Sequence, residues 1–227
     1  IPTPAPSVAI LGTGIIGVKT TLDGTLGTPV VHAGTASNIN DENLTTSVDS
    51  WNASGAGLYS YVGTTFGSSL QTVAMLKVRF ATFTNGGWFG PTNAGPAGGG
   101  LISAAHLVEP VLQITTNGGT SWTTVPHTSD YFLALTGHKV GDGTNGNFFS
   151  ITISHPASFT LNTPAENING VRLVGLEGGS AQGFVGVYDF AAYAVANPSA
   201  SADPDADNDG LPDAWEIEKF GNITAHD

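Results

Sequence analysis

An all-β, antiparallel sandwich is the fold class this 227-residue sequence predicts, and three observations carry it. Short stretches of alternating apolar and polar residues recur through the body, as in half-buried strands. Glycine is abundant, with 31 copies gathered into turn clusters between those stretches. No window before residue 200 sustains a 3.6-residue apolar stripe over three turns, so no long helix has a face to bury.

The expected strands follow in chain order: Val8–Leu11, Ile15–Thr20, Leu58–Val62, Thr72–Phe83, Leu112–Thr115, Thr123–Val125, Phe149–Ile153, Gly170–Gly175 and Phe184–Val195. Turn clusters between so many short strands argue for a sandwich over a parallel sheet. The segment from Val8 to Gly17 contains Gly12-Thr-Gly14-Ile-Ile-Gly17, the G-x-G-x-x-G spacing of a dinucleotide loop. That chemistry needs a helix after the turn and an acid about 20 residues on. Residues 18–24 are β-like and residues 30–37 hold no acid, so the glycines are expected to ease a tight bend between strands. Thr115-Thr-Asn-Gly-Gly-Thr-Ser-Trp122 reads as a hairpin, stabilised by its own turn.

Composition narrows the function. Six Lys and Arg stand against 18 acids, a net charge of −12, which disfavours nucleic acid and anionic membranes as partners. Cys is absent, so thiol chemistry and disulfides are excluded. No apolar run reaches the 18 or more residues of a membrane helix. The start at Ile1-Pro-Thr-Pro, without Met, fits a chain from which a signal peptide has been removed, so an exported, extracellular or cell-surface protein is expected.

The strongest motif lies at the other end. From Asp205, the tail matches D-x-[DN]-x-[DN]-G-x5-E at every required position. Ca²⁺ takes six to eight hard oxygens at about 2.3–2.6 Å, and alternate carboxylates on a tight loop supply them. Asp205, Asp207 and Asp209 fill the first three ligand positions, Leu211 offers its carbonyl, Asp213 follows, and Glu216 closes the shell. Seven of the 18 acids fall between Asp203 and Glu218 with no Lys or Arg among them, a repulsion that a divalent ion relieves. Ala214–Phe220 can form a short exit helix ending at Gly221, whereas Pro198 and Pro204 forbid an entering helix. The segment therefore resembles the half-EF-hand loops of dockerins and thrombospondin type 3 repeats in secreted bacterial proteins.

The body has a resemblance of its own. Ala36–Leu44, Tyr61–Phe66, Gln71–Phe80, Asn117–Trp122, Val171–Gly175 and Gly183–Phe190 occur in an order similar to the discoidin-like, galactose-binding-like jelly roll. That resemblance implies a jelly-roll β-sandwich over residues 30–196, with binding loops at one end. It also implies a second calcium site, with Asp41, Asn43 and Asp189 as side-chain ligands. The expected organisation is then an N-terminal β-segment (1–29), the sandwich (30–196), a linker (197–204) and the calcium loop with its helix (205–227). The N-terminal segment is either the sandwich's own first strand or a strand donated to a neighbour.

Chemistry-bearing residues are sparse. The histidines show no metal-ligand spacing, no G-x-S-x-G elbow occurs, and no carboxylate pair can be nominated from spacing, so no enzyme activity is expected. The loop Thr84–Gly100 sets Trp88 and Phe89 side by side among Gly, Pro and Asn. Neighbouring rings on one strand point to opposite faces, so one of them is expected at the surface, able to stack on a sugar. Trp51, Asn52, Asn85, Trp88, Phe89 and Asn93 are accordingly the expected ligand-binding set. Two functions fit: a non-catalytic, secreted carbohydrate-binding or adhesive module, or a subunit of an extracellular filament or surface layer. The first takes a glycan as partner, while the second takes copies of itself through strand addition and calcium.

Overall fold

The computed structural model describes residues 8–22, 24–41, 43–52, 58–141, 151–152, 156–179 and 183–194. The chain adopts the antiparallel β-sandwich that its alternation predicts, in the jelly-roll form that the discoidin-like resemblance implies. One sheet contains β1 (Thr13–Lys19), β2 (Thr28–Pro29), β4 (Tyr59–Thr65), β6 (Val111–Thr115), β7 (Thr123–Val125) and β11 (Gly170–Leu176). Its order is β2-β1-β4-β11-β6-β7. The other runs β3 (Val48–Asp49), β12 (Gly186–Tyr193), β5 (Gln71–Thr82), β10 (Ala157–Ile168), β8 (His127–Ser129), with β9 (Ile151–Thr152) against the end of β5. The five-residue helix α1 (Tyr131–Leu135) follows β8.

Alternation along the strands builds the core between the sheets. Val62, Leu112, Val171 and Leu173 from one sheet meet Leu76, Val78, Phe80, Phe159 and Phe190 from the other, all fully buried. At about 25 cal/mol per Å² of apolar surface removed from water, such residues supply the main driving force for folding.

Both lateral edges of the sandwich are sealed by the chain itself. At one, β7 ends at Val125 and β8 begins at His127, so the chain crosses between sheets at Pro126. At the other, Val30 donates to the Ile16 carbonyl of the first sheet. Two residues on, His32 donates to the Asp49 carbonyl and Asp49 to that of Ala33 in the second. The edge strands are two or three residues long, which blunts them as templates for pairing.

Several expectations change here. Val8–Leu11 is not a strand; Ile10 instead donates one hydrogen bond to the Ala192 carbonyl at 2.8 Å. No bend divides the glycine-rich segment, which runs straight through β1 and pairs with β4 from Thr13 to Lys19. Its glycines permit close approach: a Cβ on Gly14 would lie 2.1 Å from the Ala36 carbonyl, and one on Gly17 2.3 Å from that of Thr28. β1 is thus the sandwich's own strand, covered by the 3₁₀ turn Ala36–Asn40. The 12-residue β10 was not anticipated, because Asn162, Pro164 and Asn167 break its apolar pattern; register shifts occur between Thr160 and Ile168.

The outer face of the first sheet carries a closed polar cluster. Arg172, fully buried, gives Nε and Nη2 to Gln113 Oε1 at 2.9 and 2.7 Å. Nη1 donates to the Thr25 carbonyl at 2.7 Å, while the guanidinium stacks 4.3 Å from the Trp122 ring. Residues 24–28 form a strap over it. The predicted hairpin supports the stack, since Asn117 Oδ1 accepts from Ser121 N–H and Trp122 Nε1 donates to the Gly119 carbonyl.

Candidate binding site

Three connections meet at the end of the sandwich where β3 exits, β5 ends and β12 begins. Gly87 donates to the Phe184 carbonyl, Ser50 donates to that of Val185, and Gly178 donates to that of Trp88. On the outer face of the second sheet, Ala81, Phe83, Phe184 and Tyr188 form a small apolar cluster apart from the main core. Trp51 packs against it, half-buried. Phe83 and Phe184 meet edge to face at 5.3 Å, and the Phe83–Gly86 turn that holds half-buried Asn85 rests on Phe184.

One buried carboxylate organises the exposed part of this face. Asp49 Oδ1 accepts the Trp51 backbone N–H at 3.0 Å and lies 3.2 Å from His32 Nδ1. The imidazole, whose side chain is 49% exposed, stands edge-on to the indole at 4.5 Å with a 72° interplanar angle. Burial raises the Asp49 pKa, while the Trp51 N–H and His32 act against that rise. The result is a partly exposed indole beside a polar ring with a fixed orientation, bordered by Asn52. Such a surface presents an apolar face and hydrogen-bonding groups together, as recognition of a polyhydroxylated ring requires. The enclosed Trp51 Nε1 has no hydrogen-bond partner among the described residues.

Beneath the site lies a second carboxyl group. Glu177, 1% exposed, accepts the Ser60 hydroxyl on Oε1 at 2.7 Å, and Ser60 Oγ lies 2.8 Å from Ser50 Oγ. Val185 N–H donates to Ser50 Oγ at 3.1 Å. Burial pushes the Glu177 carboxyl up to about 7, with the Ser60 hydroxyl pulling the other way.

Of the ligand-binding set, Trp51, Asn52 and Asn85 border this face. Trp88 and Phe89 do not: both are fully buried. The alternation argument fails for them because they lie outside any strand, after Gly87 at φ 117. Trp88 Nε1 donates to the His106 carbonyl, and its ring packs on Gly178 and Gly95. Phe89 exchanges two backbone hydrogen bonds with the Tyr131 hydroxyl, at 2.9 and 2.7 Å. Asn93 is exposed at φ 63, in a turn whose neighbours Thr92 and Ala94 bridge to Gly179. His32, Asp49 and Glu177 were absent from the expected set; the Asp-Ser-Trp spacing was a signal, since Asp accepts from the N–H two residues on.

Asp205, Asp207, Asp209, Leu211, Asp213 and Glu216 lie outside the described residues. Of the residues expected at a second calcium site, Asp41 Oδ1 accepts from Asn43 N–H and Oδ2 from the Thr46 hydroxyl. Asn43 Oδ1 accepts both Thr45 donors. The loop closes on itself through these bonds, while Asp189 lies on β12 opposite Arg79. Among the described residues, no three His, Cys, Asp or Glu side chains are grouped to hold a metal.

Glu109, His127 and Ser129 do converge, but not as a nucleophile and its base. Ser129 donates its proton to Glu109 Oε1 at 2.5 Å, and His127 Nε2 lies 3.3 Å from the same oxygen. The carboxylate thus clasps the Pro126 corner.

No protein family and no curated protein matches this chain by sequence. Among solved structures it is similar to the family 32 carbohydrate-binding module of Clostridium perfringens NanJ, solved in complex with galactose. Identity is 15%, coverage is 81% of this chain and 99% of that one, and the TM-score is 0.38. The chitosan-binding module 1 of a Paenibacillus sp. IK-5 chitosanase/glucanase gives 17%, 83%, 98% and 0.38. The Streptococcus pneumoniae β-galactosidase BgaA structure gives 14%, 82%, 99% and 0.45.

Proposed function

We propose that this chain is a non-catalytic, secreted carbohydrate-binding or adhesive module whose ligand face is the Trp51–His32 platform. The observation that carries the reading is the double hold of Asp49, which fixes a half-buried indole by its backbone and the adjacent imidazole by its ring. A rigid aromatic with oriented polar neighbours binds a sugar at low conformational cost, because little is left to order. Asn52 and Asn85 supply further donors and acceptors at its rim. The edges of both sheets are short among the described residues, which gives the strand-addition alternative little to build on.

Calcium belongs to the same reading. Asp205, Asp207, Asp209, Leu211, Asp213 and Glu216 would hold one Ca²⁺ and fold the acidic tail against its own repulsion. Asp41 and Asn43, already engaged within their loop, would have to exchange those bonds to hold a second ion with Asp189. Calcium titration of the intact protein by calorimetry distinguishes the cases: one site, lost in Asp205→Ala with Glu216→Gln, is the expected result.

The binding test is a glycan array probed with the protein and with Trp51→Ala. Signal that falls at least tenfold in the variant supports the reading. A protein that binds no glycan yet self-associates on adding calcium overturns it.

A further inference from the structure

Resting on that reading of the Trp51 face, we propose that Glu177 is a positioning residue for the indole, acting through Ser60 and Ser50. The proton order of the buried chain supports this. Ser60 donates to Glu177 Oε1 at 2.7 Å, which leaves Ser60 Oγ to accept from Ser50. Ser50 Oγ in turn accepts the Val185 N–H, and Ser50 N–H donates to the Val185 carbonyl at 3.0 Å. With Glu177 ionised, the Ser60 proton points to the carboxylate, and the Ser50 proton is shared between Ser60 Oγ at 2.8 Å and the Val185 carbonyl at 3.4 Å. Ser50 is the residue immediately before Trp51, so the platform leaves β3 from a point held by Asp49 on one side and by this relay on the other.

The relay adds a side-chain link between connections that backbone hydrogen bonds already bring together. Glu177 donates its N–H to the Leu58 carbonyl and accepts the Thr92 hydroxyl on its own carbonyl. Its side chain reaches β4, and the Ser50 contact reaches the start of β12. A buried carboxyl with two hydroxyls in series is a costly way to fill space, because an apolar group would avoid the desolvation. Alignment of Trp51 is a function that repays it. The ionisable groups on the elements that meet the relay are Asp49, with His32 beside Trp51, Tyr59 and Tyr61 on β4, Arg172 on β11, and Tyr188, Asp189 and Tyr193 on β12. Burial and the Ser60 hydroxyl are what set the carboxyl's affinity for a proton.

The test reads Trp51 directly and needs no sugar. The emission of the intact protein minus that of Trp51→Phe isolates the Trp51 signal, which is followed by acrylamide quenching from pH 5 to 9. The expected wild-type signal moves with a midpoint near 7, from the Glu177 carboxyl. Glu177→Gln, whose amide oxygen still accepts from Ser60, keeps the wild-type quenching but loses the pH step. Ser60→Ala, which breaks the relay at the carboxyl's own donor while leaving Glu177 in place, raises quenching about twofold. A Trp51 signal that is flat with pH in the wild type and unmoved by Ser60→Ala overturns the proposal. Because no glycan enters the measurement, failure to bind sugar on an array sinks the carbohydrate reading and leaves the positioning role standing.

Discussion

The two outer faces of the sandwich each carry a tryptophan beside a polar, ring-contacting partner, and they are finished in opposite ways. On the first sheet, Trp122 stacks on Arg172, its indole N–H is satisfied by Gly119, and the residue 24–28 strap closes over the pair. On the second, Trp51 meets His32 edge to face, half the imidazole stays in solvent, and the indole N–H has no partner among the described residues. The first arrangement is complete in itself. The second has the same ingredients with the imidazole edge left in solvent, and the proposed binding role rests on that difference. A tryptophan's meaning therefore depends on whether its neighbours finish its surface.

The comparison is broken most sharply at Arg172. Arg172→Ala would strand Gln113 Oε1, leave the Thr25 carbonyl to Lys19 alone and remove the stack under Trp122, so a loss of about 3–5 kcal/mol is expected. The midpoint of urea unfolding measures it. A loss below about 1 kcal/mol would mean that the closed face is decoration and the contrast is false.

Next in size is the pH dependence that Glu177 imposes from beneath the open face. Its carboxyl rises from 4.5 to about 7 on folding, so the folded state favours the protonated form. Stability from this group is then whole below pH 4.5 and is lost as pH rises to 7, by up to about 3 kcal/mol. Glu177→Gln cannot ionise and is expected to flatten that slope, making the variant the more stable protein at pH 8. Urea midpoints of both proteins at pH 5 and pH 8 check the sign.

Trp51→Ala sharpens the comparison from the open side. A half-buried ring on a satellite cluster contributes less than a core residue, so about 1–2 kcal/mol of stability is expected to go. Trp88→Ala removes a fully buried ring and is expected to cost about 3–5 kcal/mol. Glycan binding should follow the opposite order to stability: lost in Trp51→Ala at temperatures where both variants are folded, and retained in Trp88→Ala.

How far the sequence carried this reading depends on the range of the interaction. The strands with plain alternation, such as β4, β5, β11 and β12, were legible to within a few residues. β10 was not, since polar residues and Pro164 interrupt its pattern and its pairing with β5 tolerates the breaks. In the Trp51 neighbourhood the ring and Asn52 were legible, whereas Asp49 was missed although it acts only two residues away. The burial of Trp88 and Phe89 was hidden, for it rests on Tyr131 and Gly178, distant in sequence. The Ser60–Glu177 bond spans 117 residues, a separation at which no local pattern constrains the partner.

The smallest expected effect on stability falls on His32, and it tests the open face most selectively. The imidazole is half in solvent and its contact with Asp49 is at the rim, so His32→Ala should shift the urea midpoint by no more than about 0.5 kcal/mol. The indole keeps its own hold, because Asp49 still accepts the Trp51 N–H. What is lost is the oriented polar edge beside the ring, and with it a hydrogen bond to a ligand hydroxyl, worth about tenfold in affinity at ~1.4 kcal/mol. Calorimetry with the strongest glycan from the array separates the two quantities. If His32→Ala binds as tightly as the wild type, the imidazole only props the indole and the polar recognition falls to Asn52 and Asn85.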